Sequence, residues 1–143
     1  MEGKIKEVDI SRREIEERLL RVGDYVKMDF LSNCLKKQLD FDTRRYVLLK
    51  LSSIYESRKM YLEAAKLIRA AADINTTFEG KMQDFVKSTE LFIKSGNINE
   101  ADICFGKALV SANEKQKVGI KIKIKDIYKV QAKEYLNRDK RKH

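Results

Sequence analysis

Residues 83–109 read QDFVKSTELFIKSGNINEADICFGKAL, and residues 46–72, thirty-seven positions earlier, read YVLLKLSSIYESRKMYLEAAKLIRAAA. Laid over one another, Leu48, Leu51, Ser52, Tyr55, Ala64, Ile68 and Ala71 fall on Phe85, Ser88, Thr89, Phe92, Ala101, Phe105 and Ala108. Self-similarity at a period of roughly twenty to fifty residues marks stacked supersecondary units, each too small to bury its own apolar face. Within each copy the apolar residues recur three and four apart, so each copy is a pair of helices. Small residues at Ser52, Thr89, Ala64, Ala101, Ala71 and Ala108 let those helices approach closely. Tyr55, Phe92, Ile68 and Phe105 fill the spaces between hairpins.

The rest of the chain continues the pattern. Ser11 with Glu14 is a capping box, followed by Ile15, Leu19, Leu20 and Val22 at helical spacing as far as Gly23. A second helix carries Val26, Phe30, Leu31, Cys34, Leu35 and Leu39, so residues 11–40 form a leading hairpin. Thr43 is the expected cap of a third helix ending near Ser57, with Tyr61–Asp73 as its partner, giving a first repeat over 43–73. Thr76 with Glu79 opens a fifth helix that ends at Gly96, and Ile98–Ala112 is the sixth, giving a second repeat over 77–112. Residues 114–137 read as a seventh, capping helix and 138–143 as a basic disordered tail.

Within the seventh segment, Gly119-Ile120-Lys121-Ile122-Lys123-Ile124-Lys125 alternates with the period of a strand. Ile120, Ile124, Ile127 and Tyr135 also share one helical face, and a lone strand cannot satisfy its backbone. Helix is therefore expected, with Ile120, Ile124 and Ile127 at the positions of Phe85, Thr89 and Phe92. The fold class is all-α: antiparallel hairpins stacked as a short right-handed α-solenoid of about seven helices.

Composition agrees. At 143 residues with 43% hydrophobic and 37% charged side chains, the chain suits one domain of long, surface-rich helices, and it contains neither Pro nor Trp. Met1–Ile10 has no continuous apolar core of a secretory signal, and no window approaches a membrane span. With only Cys34 and Cys104, neither near a second Cys or a His, a reducing, cytoplasmic setting is expected, without a disulfide framework or metal site.

The spacing of an aromatic or Leu, then a small residue, an aromatic, and Ala with a bulky residue four later resembles the tetratricopeptide repeat. Gly96-Asn97-Ile98-Asn99-Glu100-Ala101 is similar to that family's turn and helix entry; the first copy keeps Glu63-Ala64-Ala65 but has Lys59 where the Gly falls. A period longer than the family's also resembles the looser arrays of the soluble NSF attachment proteins. The resemblance implies a concave groove lined by the first helix of each hairpin. Its candidate residues here are Tyr46, Leu49 and Ser53, then Val86, Glu90 and Ile93, and from the last helix Lys121, Lys125 and Tyr128. Such a groove has an apolar floor and a basic wall, suited to a peptide or protein segment, or to a second copy of the chain. The family's chaperone-tail clamp uses Lys and Asn where this chain has Leu49 and Ser53, so that activity is not implied. If the leading hairpin folds back over Tyr46 and Leu49, these residues are plain core.

Charge offers an alternative. From Glu114 to His143 there are eleven Lys or Arg against four acids, a net of +7, which leaves +2 for everything before. Lys115, Lys117, Lys129, Lys133, Arg138, Lys140, Arg141 and Lys142 form a basic patch able to attract nucleic acid or another anionic surface, or simply a solvated helix face. Chemistry has little to work with. The one histidine, His143, is the last residue, the six glycines are scattered, and the carboxylates fall in ion-pair spacing, as Glu14 with Arg18. The sequence therefore reads as a non-catalytic interaction scaffold requiring no cofactor.

Overall fold

The described residues form seven helices and no strand: α1 (Arg12–Leu19), α2 (Asp24–Cys34), α3 (Phe41–Ser57), α4 (Tyr61–Ile74), α5 (Phe78–Lys94), α6 (Ile98–Val110) and α7 (Glu114–Arg141). The structure, a computed structural model, describes residues 8–141. The most extensive helix contacts are between chain neighbours, α3 with α4, α4 with α5 and α5 with α6. Short turns reverse the chain between them, so these neighbours run antiparallel. α7 returns to lie mainly on α5, with a lesser contact to α6.

The two repeat hairpins are built alike at their turns. Lys59 and Gly96, thirty-seven residues apart, are the two described residues with left-handed backbones, at φ 61° and 82°. At each turn the next amide reaches five residues back. Met60 N–H donates to the Tyr55 carbonyl and Asn97 N–H to the Phe92 carbonyl, both at 2.9 Å. Lys59 N–H and Gly96 N–H donate to the carbonyls of Glu56 and Ile93, at 2.9 and 3.0 Å. These paired bonds satisfy the last carbonyls of α3 and α5.

The core has two parts. Ala64, Ala65, Ile68, Phe85, Leu91, Phe92, Ala101, Cys104 and Ala108 join α4, α5 and α6, and Ile120 and Ile124 bring in α7. Ile15, Leu19, Leu31, Cys34, Val47, Leu51 and Ile54 join the leading hairpin to α3. Ala64 and Ala101 are fully buried. Beside Ala64 the Ser52 hydroxyl donates to its carbonyl across the α3–α4 contact at 2.9 Å.

Several ends fall elsewhere than the sequence suggests. Asp40, not Thr43, caps α3: its carboxylate accepts from Thr43 N–H at 2.7 Å, which holds its pKa below the ordinary range, while Thr43 turns into the core. Thr77, not Thr76, caps α5 by accepting from Gly80 N–H at 3.0 Å. Asn113 and Gln116 cap α7 reciprocally, at 2.8 and 2.9 Å. The alternating Ile/Lys passage is helix, because Ile120 and Ile124, four apart, both reach the core. The expected disordered tail is helical through Arg141: no Pro or Gly interrupts it after Gly119, and basic residues favour a helix C-terminus. Lys142 and His143 lie outside the described residues.

Replacing Ala64 or Ala101 with Leu overpacks a contact with no free space and should lower unfolding stability by about 1 to 3 kcal/mol, measured by urea denaturation. The turns predict opposite signs. Lys59→Gly should raise stability by about 1 kcal/mol, whereas Gly96→Ala should lower it by about 1 to 2, because only glycine holds the left-handed backbone without cost.

Candidate binding groove

The sequence-predicted groove residues divide in the structure. Tyr46, Leu49 and Ser53 come together, with Arg12, Asp42, Arg45 and Lys50, around a depression of about 460 Å³ on α3. Tyr46 and Leu49 are half-buried and Ser53 is exposed. The leading hairpin borders this depression, with the Arg12 guanidinium stacked 4.4 Å from the Tyr46 ring centre. Burial raises the Tyr46 pKa, helped by Glu16 and opposed by Arg12. Val86 and Ile93 are core, 7% and 1% exposed, so Ile93 presents nothing to a partner.

On α5, Glu90 forms an ion pair at 3.5 Å with Lys87, which reaches Glu56 of α3 at 3.0 Å. Burial works against the Lys87 charge, but its bonds and proximity to Glu56 and Glu90 outweigh it and raise its pKa. Further along, Arg45 of α3 grips Asp84 of α5 through both carboxylate oxygens, at 3.0 and 3.1 Å, and Asn75 donates to the same carboxylate at 3.2 Å. Burial raises the Asp84 pKa, against the pull of Asn75 and Arg45. Together these contacts tie α3 to α5.

Three adjoining depressions run along α7. A depression of about 290 Å³ lies between Met82, Gln83 and Val86 of α5 and Gln116, Gly119, Ile120 and Lys123 of α7. A second, about 490 Å³, continues past Glu90 and Lys94 to Ile122, Asp126, Ile127 and Val130, sharing Gly119 and Lys123 with the first. A third, about 570 Å³, shares Lys94, Gln131 and Glu134 with the second and reaches Lys59 and Tyr61 at the α3–α4 turn. Shared walls make these one trough. Its middle is apolar at Ile122, Ile127 and Val130, and its rims carry both charge signs.

The wall on α7 is not the expected one. Lys121 and Lys125 are exposed but line none of these depressions, and Tyr128 is half-buried toward α6, where burial and Asp102 raise its pKa. On α7 the trough is lined by Gly119, Ile122, Lys123, Asp126 and Val130, with Ile120 and Ile127 at its edge toward the core and Ile124 within the core. The exposed apolar residues Ile122 and Val130, eight apart among lysines, were the signal in the sequence.

Of the basic patch, Lys117 pairs with Glu114 at 3.1 Å. Lys115, Lys129, Lys133 and Arg138 are exposed, and the Arg138 guanidinium lies 5.8 Å from the Tyr135 ring centre. Lys140 and Arg141 belong to the last turn of α7. No helix among the described residues is long and apolar enough to cross a membrane. Comparison with protein-family profiles, curated proteins and solved structures finds no match to this chain.

The Arg45–Asp84 pair gives a pH prediction. Because the folded-state pKa of Asp84 lies above its ordinary value, folding favours the protonated carboxyl, and its contribution to stability falls as pH rises through that range. Arg45→Met leaves a buried carboxylate without its cation and should cost roughly 3 kcal/mol at pH 7. The loss should shrink toward pH 4, as followed by denaturation across that interval.

Proposed function

We propose that the chain is a short, non-catalytic helical-repeat scaffold of the tetratricopeptide-like kind. Its hairpins stack as an α-solenoid, and it binds a segment of a partner protein in the trough between α5 and α7. The trough itself carries the reading: a continuous channel with an apolar middle and rims bearing Glu90, Lys94, Lys123 and Asp126. That lining suits a peptide with bulky apolar side chains spaced along it and charges at its edges. Support for the repeat comes from Lys59 and Gly96, which hold the same left-handed turn at equivalent positions. Burial raises the pKa of Cys34 and Cys104 and keeps both thiols protonated, which suits packing rather than nucleophilic chemistry.

Gly119 supplies the test. A Cβ built there meets nothing within 4 Å, and the residue borders two of the three depressions, so Gly119→Trp fills the channel while leaving the core alone. Selection from a displayed library of random peptides should enrich binders with apolar anchors on the native chain and lose them on Gly119→Trp. Circular dichroism should show unchanged helix content. Peptides that bind the plugged variant equally well, or no enrichment at all, would overturn the reading.

A further inference from the structure

A second surface lies on α7, beside the trough. Val118, Ile122, Lys125, Lys129, Ala132 and Leu136 follow one another at spacings of four, three, four, three and four. This is the 3.5-residue period of a helix seam made to pack against another helix. All six are exposed, with Val118, Ile122 and Leu136 at 60%, 58% and 61%. The stripe spans about 27 Å of helix at 1.5 Å per residue.

Its charge is unsatisfied. Lys115, Lys121 and Lys133 flank the stripe, and none of them, nor Lys125 or Lys129, forms an ion pair among the described residues. Elsewhere Arg12, Arg13, Arg45, Arg58, Arg69 and Lys87 have an acid partner and Lys27, Lys50, Lys66, Lys94 and Lys107 have none, so what sets Lys125 and Lys129 apart is their place in the seam. A lysine held at a seam position selects its partner, since the facing position must supply an acid.

We infer that this stripe docks an acidic amphipathic helix from a different protein. Apolar residues of that helix would meet Val118, Ile122 and Leu136, and Glu or Asp would face Lys125 and Lys129. A second copy of the chain fits badly. An antiparallel twofold places Lys125 against Lys129, and a parallel one places each against itself, so the seam's centre repels in both. Nucleic acid leaves the apolar ends without a role, and the stripe carries no aromatic on which bases stack. A lipid surface meets only three large apolar side chains, with Glu114, Asp126 and Asp139 at the margins.

The test uses a synthetic helix of about three heptads with Leu at its seam ends and Glu opposite Lys125 and Lys129, and a twin with Lys in place of those Glu. By fluorescence anisotropy, the full chain should bind the Glu helix and not its twin. The double variant Lys125→Glu with Lys129→Glu should reverse that preference by about tenfold or more in each direction, since like charges meet in the mismatched pairs. Both substitutions are on solvent-exposed positions, and circular dichroism checks that the fold persists. Equal affinity of native and double-variant chains for the Glu helix, or no binding of it, overturns the inference. So does tighter binding of single-stranded DNA or of phosphatidylserine vesicles than of the Glu helix. Ile122 lines both surfaces, so charge separates the two readings: Lys125 and Lys129 border none of the trough's depressions, and the double variant should keep the apolar peptides selected on the trough while its preference for the Glu helix reverses.

Discussion

The close approach of α3 to α4 sets the geometry on which the other helices are laid. Ala64 presents no side chain beyond a methyl, so the Ser52 hydroxyl comes near enough to bond its carbonyl at 2.9 Å. That bond satisfies a buried hydroxyl which would otherwise be costly, and a larger residue at either place would push the helices apart. The α5–α6 hairpin uses the same small positions differently. Thr89 donates to the Phe85 carbonyl of its own helix at 2.7 Å, and across the contact the Cys104 thiol meets the Ser88 hydroxyl. The two hairpins therefore use equivalent small positions in two chemical ways, each beside a fully buried alanine.

From that spacing α5 becomes the pivot. Its one side is tied to α3 by Arg45–Asp84 and by Lys87 with Glu56, and its other receives α7 through Ile120 and Ile124. Cations also stack on the aromatics of the repeat, Arg69 on Phe92 at 5.1 Å and Lys107 on Phe85 at 5.6 Å. Arg69 meanwhile bonds Glu100 at the start of α6, so one side chain spans two hairpins. The face of α5 left free by these contacts is the one that borders the trough.

The helices and their order are legible in the sequence because the repeat supplies two readings of each position. Lys59 lies where Gly96 has its turn, and the structure gives both the same backbone despite their different side chains. Capping is less legible: Asp40 and Thr77 each stand near a second candidate, Thr43 and Thr76, and only the folded backbone, extended at ψ 166° and 147°, marks which residue caps. The wall of the trough was misplaced around α7 because Ile120, Ile122 and Ile124 alternate, so several helical faces have apolar members. Only contact with α5 decides that Ile124 turns inward and Ile122 outward. Arg12 was invisible for another reason. Its place beside Tyr46 depends on how the leading hairpin packs, which no local pattern encodes.

α7 resolves the apparent conflict between a Lys-rich helix and an apolar one by giving each requirement its own face. The core face spends Ile120, Ile124 and Ile127 on α5 and α6, and the trough face mixes Gly119, Asp126 and Val130, with Ile122 at its outer edge. The remaining face keeps Val118, Ile122 and Leu136 exposed but sets Lys125 and Lys129 between them. As the last helix, α7 must keep an exposed face hydrated without losing its shape. Two lysines at the centre of an otherwise apolar seam do this without interrupting the helix, since lysine is a good helix former and its stem covers neighbouring carbon. The same two charges would repel another copy of the seam and attract an acidic one, which is what the proposed docking requires.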